Sequence, residues 1–316
     1  MAPFTFYFAT DVHGSEHCFK KFLKAGSFYG VQAVILGGDV AGKGLVPIVD
    51  GPGGTAHATF FGKDLTLEDA AAVADLEARL RVQGLYGYRC SPEEADLLAE
   101  GGEHLDAAFE AVIGDSLRRW IAMADERLKE AGIPCLVMPG NDDPPMVKRL
   151  LAEASWLEQA EERVVGFGPF EVVSLGYSTP TPWSSPREIS EEEMERKLRA
   201  LVRETTPGAP VLFNLHNPPY DSLVDRAFKL TPDMRIETAG GEPIQVPVGS
   251  HAVRTVIEEV QPLLALVGHI HEARGTARIG KTTICNPGST YQDGILQGTL
   301  LSYDGGKLRS QRFVSG

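Results

Sequence analysis

Five short apolar runs in this sequence each end in aspartate, histidine or asparagine. Residues 4–9 lead into Thr10-Asp11-Val12-His13-Gly14, and 33–36 into Gly37-Gly38-Asp39. Residues 135–138 lead into Pro139-Gly140-Asn141-Asp142-Asp143, 211–215 into His216-Asn217-Pro218-Pro219, and 264–267 into Gly268-His269-Ile270-His271. Together they supply Asp11, His13, Asp39, Asn141, His216, His269 and His271. Carboxylates, imidazoles and an amide oxygen suit first-row divalent metals such as Mn, Fe, Co, Ni and Zn. Seven ligands are too many for one ion; with one carboxylate bridging, they give about four to each of two ions. Alternation, as in Asp11-Val12-His13 and His269-Ile270-His271, lets neighbouring side chains reach one cluster, and the glycines permit tight turns. A lone Asp-x-His or Gly-Asp is weak evidence, since turns use the same residues. Five such signals, each closing an apolar run, are hard to obtain by accident.

The runs that must position these residues are short, rich in β-branched or aromatic residues, and bounded by Gly, Pro or Asn, as buried strands are. A further run at 172–175 has the same character. Helical patterns lie between them, at about 67–83, 104–131, 191–204 and 252–260. The third carries Met194, Leu198, Leu201 and Val202 on one face, and Ser190 followed by Glu193 predicts a capping box at its start. The segments 282–285, 298–303 and 308–314 read as strands. Strands alternating with helices predict an α/β domain, and parallel strands present their carboxyl ends at one edge, where sites form. Three stretches exceed a simple crossover. Residues 41–62 read as Gly/Pro-rich loop, 64–130 as a helical insertion over the sheet, and 219–250 as a second loop insertion shaping the pocket.

The ordered motifs resemble the calcineurin-like metallophosphoesterase family, whose signature is D-x-H, G-D, G-N-H-D/E, H and G-H-x-H. The resemblance runs from Asp11 to His271. Gly176-Tyr177-Ser178, His216-Asn217-Pro218-Pro219 and Asn286-Pro287-Gly288-Ser289 are similar to small bacterial and archaeal members. It implies one domain over 1–316, a four-layer α/β/β/α sandwich of two mixed sheets flanked by helices, with a mostly helical insertion at about 41–130. It implies a dinuclear centre in which Asp11, His13, Asp39 and His271 hold one metal. Asp39, Asn141, His216 and His269 hold the other, with Asp39 bridging. Ions about 3.5–4 Å apart activate a bridging water and polarise phosphoryl oxygens, so the implied reaction is attack of hydroxide on phosphorus. Asp39, Asn141, Asp142 and His216 are then the catalytic candidates.

One position departs from the signature: Asp142 stands where the family has histidine. A carboxylate near two cations is held ionised and makes a poor general acid. The implied substrate is therefore a small phosphoester with a good leaving group, and because family members that lack this histidine include phosphodiesterases, the resemblance puts a phosphodiester ahead of a monoester. Two alternatives stay open. One is a non-catalytic, metal-stabilised protein-binding module of the same fold; the other is a nuclease.

Among other residues, His17 reads as a surface position of the first helix, and His57 and His104 lie in the insertion. Ser250 and His251 open a helix whose N-terminus can hold phosphate, although capping alone explains them. Arg254 reads as solvated. Trp183, in Thr179-Pro180-Thr181-Pro182-Trp183, could stack on a ring, or could be buried and pin a Pro-rich loop.

Composition narrows the class. The 316 residues carry 30 Lys+Arg against 43 Asp+Glu, a net charge of −13, with 43% hydrophobic residues. That excludes a disordered or collagen-like chain and argues against a nucleic-acid partner, since phosphate backbones are held by Lys and Arg. The 4 cysteines show no Cys-x-x-Cys spacing, which argues against a disulfide framework or a cysteine zinc site. No run approaches the roughly 20 apolar residues of a membrane helix, and the first residues lack the basic-then-apolar pattern of a signal peptide. The expectation is a cytoplasmic protein with no membrane partner.

Overall fold

The computed structural model describes residues 3–316. Strand β1 (Phe4–Ala9) passes through α1 (Glu16–Tyr29) to β2 (Ala33–Gly37). An inserted unit follows: β3 (Gly44–Asp50), β4 (Ala56–Phe60), β5 (Lys63–Leu67), α2 (Ala70–Val82), β6 (Leu85–Cys90), α3 (Pro92–Glu100) and the long α4 (Glu103–Ala131). The chain re-enters at β7 (Cys135–Met138), α5 (Pro145–Leu151) and β8 (Leu157–Gln159). It continues through β9 (Arg163–Phe167), β10 (Phe170–Leu175), α6 (Glu191–Arg203) and β11 (Val211–Leu215). Four short strands form two ribbons, β12 (Arg226–Phe228) with β15 (Gln245–Pro247), and β13 (Thr238–Ala239) with β14 (Glu242–Pro243). The remainder is α7 (His251–Val260), β16 (Leu264–Leu266), β17 (Gly275–Ile279), β18 (Thr282–Asn286), β19 (Gln297–Asp304) and β20 (Lys307–Ser315).

Two six-stranded mixed sheets result, ordered β20-β19-β1-β2-β7-β8 and β17-β18-β16-β11-β10-β9. Alternation along the strands decides what each face meets. Phe6, Phe8 and Ile35 from the first sheet pack against Val172, Leu212 and Leu266 of the second, making the inter-sheet core. The intervening Tyr7, Ala9, Val34 and Leu36 turn outward onto α1 and α4, where Phe19 stacks on Trp120 with centroids 4.1 Å apart. Val173, Leu175 and Phe213 turn outward from the second sheet onto Met194 and Leu198 of α6 and Val253 and Ile257 of α7. Helices, sheet, sheet and helices give the four-layer α/β/β/α sandwich. Parallel β1, β2 and β7 end at the same edge as parallel β10, β11 and β16, which carries all five motif loops there.

The insertion is less helical at its start than its composition predicts. Residues 41–62 are not loop: β3 and β4 belong to a four-stranded sheet ordered β5-β4-β3-β6. Ala56, Ala58 and Phe60 are buried while His57 and Thr59 face water, so a period of two hides among the glycines. This sheet packs Ile48, Phe60 and Leu67 against Val73, Leu76 and Leu80 of α2. Leu67, read as the start of a helix, closes β5 instead, and α2 starts after its N-cap Asp69. Residues 219–250 likewise hold the two ribbons rather than plain loop.

The capping box predicted at Ser190 forms by half. Ser190 Oγ accepts from the Glu193 amide at 3.3 Å, but the Glu193 carboxylate turns to Arg196 at 2.6 and 2.7 Å. A complete box forms at Ser91 and Glu94, which opens α3. Glu191 instead reaches across to cap α7, accepting from the amides of His251 at 2.9 Å and Ala252 at 2.8 Å. Glu191 and Ser250, whose Oγ accepts from the Val253 amide at 3.1 Å, thus fill this helix N-terminus, so capping accounts for it as the sequence suggested. All 4 cysteines are free and buried. Among the described residues no helix is long and apolar enough to cross a membrane.

Candidate metal centre

The sheet edge brings Asp11, His13, Asp39, Asn141, His216, His269 and His271 to one place, from loops up to 260 positions apart in the chain. The β1 and β2 loops run side by side: the amides of Asp11, His13 and Gly14 donate to the carbonyls of Gly38, Asp39 and Val40 at 3.0, 2.9 and 2.8 Å. Asp143 ties on the β7 loop, accepting from the amides of Val40 (2.9 Å), Ala41 (2.7 Å) and Gly140 (2.7 Å). The Asp142 amide donates to Asp39 Oδ1 at 3.0 Å, and the His269 amide lies 3.2 Å from Asp11 Oδ2.

These turns are strained for non-glycine residues. Asp11, His13, Asp39 and His269 all adopt left-handed backbone, with φ of 55°, 39°, 50° and 68°. Such conformations persist where the surroundings over-determine them, and they cluster at functional sites. Two glycines explain the Gly-Asn and Gly-His pairs. A Cβ on Gly140 would lie 2.2 Å from Asp39 Oδ1, and one on Gly268 would lie 2.6 Å from Asp11 Oδ2.

Ligand-type atoms crowd the centre. His13 Nε2 lies 3.4 Å from Asp39 Oδ2 and 3.8 Å from Asp11 Oδ1. His216 Nε2 lies 3.2 Å from Asp39 Oδ2, and His271 Nε2 lies 3.3 Å from Asp11 Oδ1. Asp11, His13 and His271 form one group able to hold an ion, and Asp11, Asp39 and His216 a second; in each, the ligand atoms lie within 4.8 Å of one another. His13, Asp39 and Asp142 form a third. The donor set fits borderline divalent metals, and a second observation agrees. His216 Nε2 and Asn141 Oδ1 are buried with no hydrogen-bond partner. The Gly37 carbonyl lies 3.0 Å from His216 Nδ1, which orients the ring so that Nε2 faces the cluster. Unsatisfied buried polar atoms are costly, and a coordinated cation satisfies both.

Electrostatics match. Burial opposes the charge on Asp39, but His216 and His13 outweigh it and hold its carboxyl well below the usual range. Burial likewise opposes charge on Asp11, and His216 and His271 pull that carboxyl down. Burial keeps His13 well below the ordinary imidazole value, and burial with the nearby His216 lowers His269 to about 4. Burial and the Asp39 carboxylate push Asp143 up to about 7, against the pull of its three amide donors.

Other histidines stay away. His17 is exposed on α1, His57 sits on β4 and His104 in the first turn of α4. His251 stacks on Tyr220 at 3.9 Å, and Arg254 donates to the carbonyls of Tyr220 and Asp221 at 2.8 and 3.0 Å. Trp183 is 66% exposed, which removes the reading of a buried pin.

Sequence reasoning missed several neighbours. Lys43 ion-pairs with Asp142, and Ser185 Oγ donates to the same carboxylate. Arg187 is buried beside Glu161, donates from Nε to the Gly140 carbonyl at 3.0 Å, and covers the Tyr177 ring at 4.2 Å. Its backbone amide donates to the Asn141 carbonyl at 3.0 Å. Arg187 therefore fixes the turn that carries Asn141. These are common residue types in unpatterned loops, and nothing in their spacing marks them. The centre opens into a cavity of about 660 Å³ whose wall includes Lys43, Asp142, Trp183, Phe228, His269, His271 and Tyr291.

No protein-family model matches the chain. An uncharacterized protein of Methanocaldococcus jannaschii, MJ1162, is 30% identical over 155 residues, which are 48% of this chain and 62% of that protein, less than two thirds of its length. One solved structure overlays 99% of this chain and 98% of its own at a TM-score of 0.56 and 17% identity. The crystal structure of TT1561 of Thermus thermophilus covers 100% of this chain and 99% of its own at a TM-score of 0.53 and 16% identity. At such identities these likenesses concern the fold.

Proposed function

We propose that the protein is a metal-dependent phosphoester hydrolase holding two divalent transition-metal ions, with phosphodiesters ahead of monoesters. Asp11, His13, Asp39 and His271 would hold one ion; Asp39, Asn141, His216 and His269 the other, with Asp39 shared. One observation carries the reading. Side chains of metal-binding type from five strand ends meet at one buried point, where Asn141 Oδ1 makes no hydrogen bond and His216 Nε2 faces only the carboxylates of Asp39 and Asp11.

Two such ions, when bound, supply an activated water nucleophile and Lewis-acid polarisation of the phosphoryl oxygens. The chain's own residues do the rest. The Gly37 carbonyl aims His216, and Asp143 and Arg187 hold the Asp39 and Asn141 turns in register. Lys43 is the cation on the cavity wall beside the cluster, anchored by Asp142. Burial opposes its charge, but Asp39 and Asp142 outweigh burial and raise its pKa. A lysine so held stays charged at neutral pH, which suits contact with a phosphoryl oxygen and disfavours proton donation. Asp142, in the place of the family's histidine, then acts as the anchor of a cation rather than as an acid. The absence of that histidine favours esters with good leaving groups, because an alkoxide leaves poorly from a monoester or a diester without a proton.

The test is a panel of phosphomonoesters and phosphodiesters run on metal-stripped protein with Mn, Fe, Co, Ni or Zn added back. Turnover restored by at least one ion, and lost in Asp39→Ala together with metal content, is the expected result. Ion binding without turnover of any ester overturns the hydrolase reading in favour of a metal-stabilised binding module.

A further inference from the structure

We infer that the substrate carries a single phosphoryl group joined to a flat, apolar organic group, which lies between Trp183 and the β12–β15 ribbon. This rests on the hydrolase reading and names its substrate class.

Three observations carry it. The first is size: a cavity of about 660 Å³ falls in the range that takes drug-sized ligands, far more than a phosphoryl group needs. The second is the wall. Phe228 of β12, Val246 of β15 and Val248 just beyond it face the cavity, with Pro180, Pro182 and Trp183 also lining it. Trp183 is 66% exposed and Val248 40%, a cost in water that an apolar ligand would relieve. The Trp183 loop is not free to fold this surface away. Asn217 Nδ2 donates to Thr179 Oγ1 at 3.0 Å, the Trp183 amide to Thr181 Oγ1 at 3.2 Å, and the Ser185 amide to Glu188 Oε1 at 2.9 Å. Two prolines stiffen it further. A large aromatic ring on a loop anchored in this way gives a stacking surface whose backbone ordering cost is already met.

The third observation is charge. Beyond the ligand cluster, the lining carries Lys43 and Lys229 against Asp142 and Glu272. Lys43 is paired with Asp142, and Lys229 with Glu237 at 2.9 Å. Among the described residues, the lining thus offers no surplus cation for a second phosphate, so a polyphosphate or a nucleic-acid strand does not fit its chemistry. One phosphoryl group at the centre and an uncharged, flat group along the wall does.

The test compares benzyl 2,2,2-trifluoroethyl phosphate with ethyl 2,2,2-trifluoroethyl phosphate, diesters that share trifluoroethoxide as the leaving group, on protein loaded with the most active ion. The benzyl diester should show a kcat/KM at least tenfold higher, and Trp183→Ala or Phe228→Ala should bring the ratio below threefold. Phenylphosphonate should quench tryptophan fluorescence with a Kd at least tenfold below that of methylphosphonate, and Trp183→Ala should abolish the quench. Equal turnover of both esters with equal phosphonate affinities overturns the inference and leaves the hydrolase reading standing. Tight, Trp183-dependent phenylphosphonate binding without turnover of any ester supports the pocket and removes the hydrolase reading instead.

Discussion

The Nε2 atoms of His13 and His271 face each other at 3.0 Å across the centre, 258 positions apart in sequence. Without a cation, one ring must donate its proton to the other. With one, both Nε2 lone pairs would be available to ligate it and each ring's proton would sit on Nδ1, which in His13 is buried without a hydrogen-bond partner. A ligand that binds only the folded state at a hundredfold excess over its Kd contributes about 2.7 kcal/mol, and each kcal/mol is worth about 1.5 °C in a chain of 316 residues. Saturating Mn or Zn should therefore raise the Tm of chelator-treated protein by about 4 °C or more. His13→Ala should remove most of that gain. Scanning calorimetry with and without chelator measures it, and an unmoved Tm with every ion tried would count against the centre.

His216 sets the pH dependence of metal uptake. Burial opposes its charge, but the carboxylates of Asp39 and Asp11 outweigh burial and push it from 6.5 up to about 10 in the metal-free protein. A raised imidazole pKa stabilises the fold fully below the unfolded value of 6.5, and that contribution fades as pH rises through about 10. Coordination needs the Nε2 lone pair, so at neutral pH binding must expel this proton. Metal affinity should rise with pH between about 7 and 10, and titration calorimetry in buffers of different ionisation enthalpy should show about one proton released from this residue. His216→Asn should release one fewer. Identical proton release in both proteins would remove His216 as the source.

Much of the centre is legible because a buried parallel strand reads as an unbroken apolar run and its end is marked by glycine. Phe4–Ala9, Cys135–Met138 and Val211–Leu215 hold their bounds in the structure. The residues just past those ends converge because the parallel strands end at one edge. Residues 41–62 mislead because Gly51, Pro52, Gly53 and Gly54 crowd the turn between β3 and β4 and dilute a short alternation. Lys43, Arg187 and Glu161 are invisible for another reason. Their roles depend on contacts with Asp142 and Gly140 that only the folded chain creates.

Lys43 separates a charge role from a structural one. Its pairing with Asp142 places a cation on the wall beside Asp39, where a phosphoryl oxygen would sit. Losing one well-placed donor of transition-state charge costs on the order of 100-fold in kcat. Lys43→Met should lower kcat by about that factor with metal content unchanged, since Lys43 holds no ion. Lys43→Arg keeps the charge and should stay within about tenfold of the parent protein. Metal analysis beside steady-state kinetics decides between the roles. Equal losses in both variants, or loss of metal in Lys43→Met, would show that the residue serves the structure of the turn instead.

Asp143 joins the β2 and β7 loops through three backbone amides, so its removal strands three donors in a site closed to water. A buried unsatisfied donor costs about 1–3 kcal/mol, and Asp143→Ala should lower unfolding free energy by about 3 kcal/mol or more. Asp143→Asn keeps the volume but turns an NH2 group toward at least one amide, so it should fall between the parent and alanine proteins. Both should weaken metal binding at least tenfold, because the turn that Asp143 pins includes the left-handed Asp39 and leads into Asn141. Urea unfolding of the metal-free proteins isolates the stability term, and metal titration reads the other. A loss below about 1 kcal/mol in Asp143→Ala would mean that water replaces the carboxylate, and that the two loops keep their register without it.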